Sequence, residues 1–373
     1  MKSRYILGCL LATSAAISHA QSNVTIYGVV DTGVEYVNNI GAADANLTRI
    51  PSLTATLPSR IGFRGTEDLG AGLKAIFTLE NGFDPGVGSM NQGGRLFGRQ
   101  AWVGVQSNWG TFTVGRNYTM LFWANNDADV LGPNIYGTAS LDPYIPNARS
   151  DNSLAYRGTF GGVTVGATYS LGRDAAGAAG VACGGESATD AQACRGWSAL
   201  VKYDAPVWGV AVAHDRLRGA TGVAALGGSG LEDKRTVING YVKFAGAKVG
   251  GGLIRRDNEG ALDARINPTR KSNLFFLGAS YPVTPAFTLD GQVFKLDYKG
   301  SSAESTMFAL RGTYALSKRT AAYVTAGRID NDGGLINSVS GGGVNSTGNL
   351  AASTFTAASA SQTGVMVGVR HAF

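Results

Sequence analysis

Five cations stand close together in the first third of the chain: Arg60, Arg64, Lys74, Arg99 and Arg116. Three carboxylates follow, Asp127, Asp129 and Asp142, on a segment that also holds Pro143 and Pro146. None of these spacings pairs a nucleophile with its base, and no CxxC or HExxH pattern offers a metal site. His214 lies beside Asp215 and His371 near the end of the chain, neither with a second histidine at ligand spacing. Separate blocks of cations and carboxylates instead shape an electric field, which sorts and orients ions without making or breaking a bond. Neither a cofactor nor a metal is expected. A dispersed formal charge of +6 over 373 residues gives no reason to expect a nucleic-acid partner.

The elements that position these charges begin after an export signal. Lys2 and Arg4 precede a short apolar run, Tyr5 to Ile17, and Ser18-His19-Ala20 offers small residues before a cut at Gln21. Residues 1–20 therefore read as a secretory signal peptide, with an apolar run too short to span a bilayer. Residues 21–373 form the mature chain, with a charge of +4 once Lys2 and Arg4 are left out. Cys9 leaves with the signal. Cys183 and Cys194 then read as a disulfide of an exported protein, the alternative being two free thiols. With 54 glycines and 10 prolines but no Gly-X-Y period, the composition suits a large all-β structure and not collagen.

The pattern of the mature chain repeats. Segments of alternating apolar and polar residues begin near 24, 57, 72, 96, 111, 151, 162, 196, 208, 234, 247, 271, 286, 304, 320 and 362. Alternation gives each strand one apolar and one polar face. Short connections at Thr66–Ala71, Ser107–Gly110, Thr159–Gly161, Asp204–Val207, Ala245–Gly246, Pro282–Pro285 and Leu316–Arg319 alternate with long ones. The long ones lie near 38–56, 84–95, 119–150, 172–195, 218–233, 258–270, 299–303 and 331–361. Short turns on one side and longer loops on the other predict a sixteen-stranded antiparallel transmembrane β-barrel as one domain, 21–373. Eighteen strands would need two more from 331–361. A soluble sandwich or propeller would share the alternation but not the sustained asymmetry of connections. Tyr36, Tyr203, Phe244, Tyr281 and Tyr314 near strand ends suit interface girdles.

Parity then assigns faces. Arg60 and Arg64 oppose Ile61 and Phe63, and Lys74 is on a polar face. Arg99 shares parity with Ala101 and Val103, so its direction stays open, and Arg116 ends its strand just before the loop 119–150. Arg311, Arg328 and Arg370 fall on polar faces and would add positive potential to the lumen. A lipid-facing arginine at mid-membrane costs roughly 2–4 kcal/mol, which favours inward placement. The competing reading has some of them snorkelling, or pairing with Glu67 or Glu80. The loop 119–150 either lies on the surface with solvated carboxylates or turns inward.

Segments spread over the chain carry a family likeness. They include Val24-Thr25-Ile26-Tyr27-Gly28-Val29-Val30-Asp31, Ser59-Arg60-Ile61-Gly62-Phe63-Arg64-Gly65-Thr66-Glu67-Asp68-Leu69-Gly70 and Gly72-Leu73-Lys74-Ala75-Ile76-Phe77-Thr78-Leu79-Glu80-Asn81-Gly82-Phe83. Phe97-Gly98-Arg99-Gln100-Ala101-Trp102-Val103-Gly104, Gly110-Thr111-Phe112-Thr113-Val114-Gly115-Arg116 and the ending Val367-Gly368-Val369-Arg370-His371-Ala372-Phe373 belong with them. In these the chain resembles the general porins of Gram-negative bacteria, in particular the beta-proteobacterial branch (Burkholderia/Bordetella/Neisseria-like). The resemblance implies a sixteen-stranded homotrimer in the bacterial outer membrane, surrounded by lipid and lipopolysaccharide. It implies that loop 119–150, with Asp127, Asp129 and Asp142, narrows the lumen, and that Arg60 and Arg116 best match the basic wall. Phe373 resembles the family's signal to the barrel-assembly machinery. The function implied is diffusion of small hydrophilic solutes and inorganic ions, with no enzymatic step; the basic residues on or near polar faces, set against Asp127, Asp129 and Asp142, add the expectation of weak anion selectivity. A substrate-specific porin, an adhesive or structural barrel with loop-borne binding, and a barrel hydrolase are the alternatives.

Overall fold

A computed structural model describes residues 23–173, 183–221, 226–260, 263–341 and 354–373. The expected signal peptide, residues 1–20, lies outside the described residues. The wall opens with β1 (Asn23–Ile40), on whose long-loop end a short strand, β2 (Ala45–Arg49), folds back. β3 (Arg60–Gly70), β4 (Leu73–Gly82), β5 (Gln100–Ser107), β6 (Gly110–Tyr118) and β7 (Arg149–Phe160) follow. Next come β8 (Val163–Ser170), β9 (Gly196–Asp204), β10 (Trp208–Arg218), β11 (Glu232–Phe244) and β12 (Ala247–Asn258). β13 (Lys271–Pro282), β14 (Phe287–Tyr298), β15 (Glu304–Ala315), β16 (Thr320–Asp332) and β17 (Ser361–Ala372) complete it.

Lipid offers no partner to a bare strand edge, so the sheet must close. It does so where β17 meets β1 antiparallel, Ala372 opposite Val29 and Gly364 opposite Val37. With β2 set aside as a flap, sixteen antiparallel strands form the wall. β16 pairs directly with β17, which leaves no room there for the two strands an eighteen-stranded wall would need. The tight connections are hairpins. At Ala71-Gly72 and Ala245-Gly246 both central residues have positive φ (51° and 77°, 47° and 80°). That geometry matches the twist of the flanking strands in two-residue turns.

Alternation works as expected on the outside. Val24, Ile26 and Val34 of β1 are exposed to the lipid side, while Asp31 and Glu35 point inward and are buried. Inside, the wall is not polar all round. Val237, Ile254, Leu274, Phe276, Phe294 and Met307, on β11 to β15, also point inward and are buried. They form a platform, and loop three, 119–148, is packed on it through Leu121, Ala128, Leu131, Ile135 and Ile145. The loop begins with a short helix, α1 (Met120–Asn125), laid against β9, β10 and β11.

Polar pins hold the loop down. The Met120 N–H donates to Ser198 Oγ at 2.7 Å, and Asn239 Nδ2 donates to the Ala124 carbonyl at 3.0 Å. The Leu131 N–H donates to Gln292 Oε1 at 2.9 Å. Gly250 allows the loop to touch the wall, because a Cβ there would lie 2.3 Å from the Ala128 carbonyl oxygen. Tyr136 N–H donates to Val339 O at 3.0 Å, so the last long loop also reaches into the barrel and covers loop three.

Cys183 and Cys194 are joined, Cα atoms 5.7 Å apart, in the fourth long loop. So short a closed loop contributes about 3 kcal/mol at most, and the barrel should persist without it. The tryptic peptide spanning 174–195 should weigh two hydrogens less before reduction than after; a peptide that alkylates fully without reductant would contradict this. A second expectation concerns Arg235, buried on β11, which donates to Asp142 at 2.7 and 3.1 Å and to Asp233 at 2.9 Å. Replacing it by Met strands Asp142, while Asp233 keeps Arg256 at 2.9 Å, at a cost of roughly 3–5 kcal/mol to loop packing. Arg235→Met should keep the far-ultraviolet β signature while loop three becomes sensitive to protease and the channel current noisier. An unchanged cleavage pattern would show that the apolar platform holds the loop alone.

Candidate pore constriction

Because loop three lies on the β9–β16 side, the open space is pushed against the opposite wall. A cavity of about 360 Å³ remains between the loop and β3 to β7. Arg60, Arg99 and Arg149 line it, together with one carboxylate, Glu80. Arg60 and Glu80 share the inward face: Val29 lies opposite Arg60, and Glu80 opposite Gly62, in the register of β1, β3 and β4. Arg99 resolves its ambiguous parity by standing just before β5. Its N–H donates to the Glu80 carbonyl at 3.0 Å and its Nε to Glu80 Oε1 at 2.6 Å, with the side chain only 5% exposed. Glu80 also accepts from Tyr27 Oη at 2.9 Å and lies 3.7 Å from Arg60.

Arg149 and Tyr118 form the neck of loop three, paired in register where β6 ends and β7 begins. Arg149 donates to the Pro146 carbonyl at 2.9 Å, the Arg99 carbonyl at 3.0 Å and Tyr118 Oη at 3.3 Å. Arg99 donates to the same hydroxyl at 2.7 Å. All of Arg149's partners are neutral, and no carboxylate lies within ion-pair distance of it among the described residues. Three guanidinium groups thus face the gap against one carboxylate, a formal excess of +2. An uncompensated charge acting at about 5 Å, with an effective dielectric near 20, is worth on the order of 3 kcal/mol to a passing ion before screening.

The remaining sequence candidates divide. Arg64 points inward, exposed, 5.2 Å from the Tyr27 ring centroid, and Lys74 is inward and exposed near the short-turn end. Both lie below the gap and do not line it. Arg116 is not on the basic wall. It has the parity of Val114, whose side chain is exposed to the outside, and it pairs with Asp151 and donates from Nε to the Gly98 carbonyl at 2.7 Å. The register of β5 and β6 runs unbroken from Val114 to Arg116, so parity alone already points it outward; its expected place on the basic wall came from its position just before loop three and from the family likeness. Arg328 is a second correction. It stands on the outward face of β16, opposite Phe308 and two residues after Ala326, and pairs with Asp330 at 2.8 Å near the long-loop end. There an arginine stays in the headgroup region, outside the costly mid-membrane zone.

Arg311 points inward but is committed to loops. It pairs with Asp290 at 2.9 Å and donates to the Ala55 and Leu131 carbonyls at 2.8 and 3.2 Å. Arg370 points inward on β17, half-buried opposite Asp31. The three loop carboxylates do not form an acidic rim. Asp142 is held by Arg235. Asp129 accepts from Thr138 at 2.7 Å and Gln292 at 2.9 Å. Asp127 pairs with Lys202 beside the short-turn end of β9. They anchor the loop and leave the gap basic. Arg149, Tyr118 and Arg235 were not among the sequence candidates. The position of Tyr118 and Arg149 at the two roots of the longest loop was the signal available for them.

Comparison with known proteins agrees with the barrel fold. The sequence model of the Gram-negative porin family matches residues 8–334. Outer membrane porin protein 32 of Delftia acidovorans is 30% identical over 396 residues, covering 100% of this chain and 99% of that one. An outer membrane porin protein of Bordetella pertussis is 31% identical over 361 residues, covering 87% of this chain and 93% of that one. Among solved structures, the anion-selective porin from Comamonas acidovorans superposes with a TM-score of 0.74 at 26% identity, covering 95% of this chain and all of that one. Fold, site and likeness converge: the chain belongs to the Gram-negative porin family and forms a water-filled channel in the bacterial outer membrane.

Proposed function

We propose that this porin is anion-selective and that Arg60, Arg99 and Arg149 set its preference. The observation that carries the reading is the excess of three guanidinium groups over one carboxylate at the gap. A low-dielectric wall focuses that field, and the Debye length of about 8 Å at physiological ionic strength means that nearby charges decide. Lys202, Arg311 and Arg235 are paired with carboxylates, so they add little to it. The name of the Comamonas acidovorans neighbour is consistent with the same preference. The channel works by passage, with no catalytic step.

The further parts of the reading are assembly and export. A homotrimer is proposed, in keeping with the trimer form named for a Vibrio cholerae relative in fold. Residues 1–20 would act as the export signal. Phe373, whose backbone closes two hydrogen bonds with Gly28 at 3.1 Å, would be the residue read by the assembly machinery.

The test of selectivity is the reversal potential across a tenfold KCl gradient in planar bilayers. Wild type should favour chloride. Each of Arg60→Gln and Arg149→Gln should lower the chloride-to-potassium permeability ratio roughly 5-fold, the equivalent of about 1 kcal/mol after screening. Arg116→Gln should leave the ratio close to wild type, because its charge lies outside the gap. A potassium-favouring wild type would overturn the proposal, and a large effect confined to Arg116 would move the constriction elsewhere.

A further inference from the structure

We infer that, among anions, this constriction prefers small carboxylates that carry an apolar or aromatic body. The inference rests on the anion reading above and names the solute class. The gap has two unlike walls. Guanidinium groups form one. The other carries an apolar surface, Phe122, Leu57, Pro58, Pro133 and Pro146, interspersed with the polar Thr56, Asn126 and Asn134. An inorganic anion uses only the basic wall and makes no use of the phenylalanine, leucine and proline surface. A solute with a carboxylate at one end and a ring at the other satisfies both walls at once.

The aromatic wall is built, not incidental. The Phe122 ring stacks on Tyr118, centroids 3.9 Å apart and planes 10° from parallel, and Trp123 meets both edge-on at 5.8 Å. Phe122 is therefore held in one orientation at the rim of the gap, which lowers the entropy lost when a second ring packs there. Tyr118 joins the two walls. Its ring supports Phe122, while its hydroxyl oxygen accepts from both Arg99 and Arg149. With its oxygen so occupied, the hydroxyl keeps its own proton to donate, and no acceptor for it stands among the described residues.

Arg149 likewise uses three N–H groups of its five on neutral oxygens. A carboxylate entering the gap meets an O–H and guanidinium N–H donors at one point, beside an aromatic face. The volume of about 360 Å³ leaves room for a single ring beside the guanidinium groups.

The experiment uses the full-length protein as single channels in planar bilayers at pH 7 in KCl, with millimolar sodium benzoate, sodium acetate or benzyl alcohol as probes. Benzoate should interrupt the current with dwell times roughly tenfold longer than acetate, in line with partial burial of one ring. Benzyl alcohol, with the ring and no carboxylate, should leave the current uninterrupted. Phe122→Ser should bring the benzoate-to-acetate dwell ratio close to one, and Phe122→Leu, which restores an apolar surface, should recover most of it. Equal dwell times in a wild type that still favours chloride would overturn this inference alone. A benzyl alcohol block as strong as that of benzoate would overturn the carboxylate part of it. A wild type without chloride preference in plain KCl would overturn both this inference and the anion reading. A benzoate preference that survives Phe122→Ser would show that the apolar wall does not contribute.

Discussion

Everything in this molecule depends on one constraint: within lipid, every backbone N–H and C=O must find a partner in the protein. The seam between β1 and β17 is where that requirement is met last. Nine register pairs join Val29–Val37 to residues 364–372, while the start of β1, Asn23 to Val29, pairs on its other side with β3. Gly28 shows how closely the seam is fitted. A Cβ at that position would lie 2.4 Å from the Phe373 ring, so the glycine gives the aromatic its place on the outer surface. Closure turns an otherwise sticky sheet edge into a continuous wall, and only a continuous wall can enclose water.

Enclosing water creates the next problem, which is how to make the enclosed space narrow without filling it. A loop suspended across a wet lumen would have to order itself against solvent on both sides, at a large entropic cost. The chain avoids this by making part of its inner wall apolar. Phe276, Phe294 and Met307 give loop three a dry surface, and the loop behaves there as an internal layer of core. Buried ion pairs such as Arg235 with Asp142 then fix its position more than they stabilise it. One consequence is electrostatic. Asp127 and Asp142 are paired with Lys202 and Arg235, Asp129 is held by Thr138 and Gln292, and none of the three lines the gap, so the loop does not oppose the basic wall with an acidic one.

The barrel was legible because its signals are repetitive. Sixteen alternations, seven tight connections and eight longer ones reinforce one another, and errors of a residue or two at any boundary do not change the topology. The site was legible only in part. The inward face of Arg60 could be read because Ile61 and Phe63 after it made the parity plain. Arg116 was misplaced because its position just before loop three and the family likeness outweighed its parity with Val114, which points outward. Arg328 was misplaced for another reason. Ile329 and Met307 point inward to pack against loops, so near the long-loop end apolar and inward coincide, and the rule that apolar means lipid-facing inverts. Arg149 escaped notice because it was counted with the loop it anchors.

The same reasoning explains how one buried arginine, Arg149, can stand at the gap without a carboxylate partner. In a dry core an unpaired guanidinium would be prohibitive. Arg149 is only 3% exposed, yet it borders a wet cavity, and carbonyls of Arg99 and Pro146 and the Tyr118 hydroxyl supply its hydrogen bonds. Those neutral acceptors satisfy its N–H groups without cancelling its charge. A carboxylate in their place would stabilise the arginine better and remove the field. The gap therefore combines two properties that usually conflict: side chains fixed by hydrogen bonding, and a net charge left for the solute. Glu80 marks how far neutralisation goes. It orients Arg99 and Arg60 from one side and leaves the rest of the positive potential facing the water path. A second carboxylate at this level would hold the wall equally well but would leave a passing anion little reason to enter.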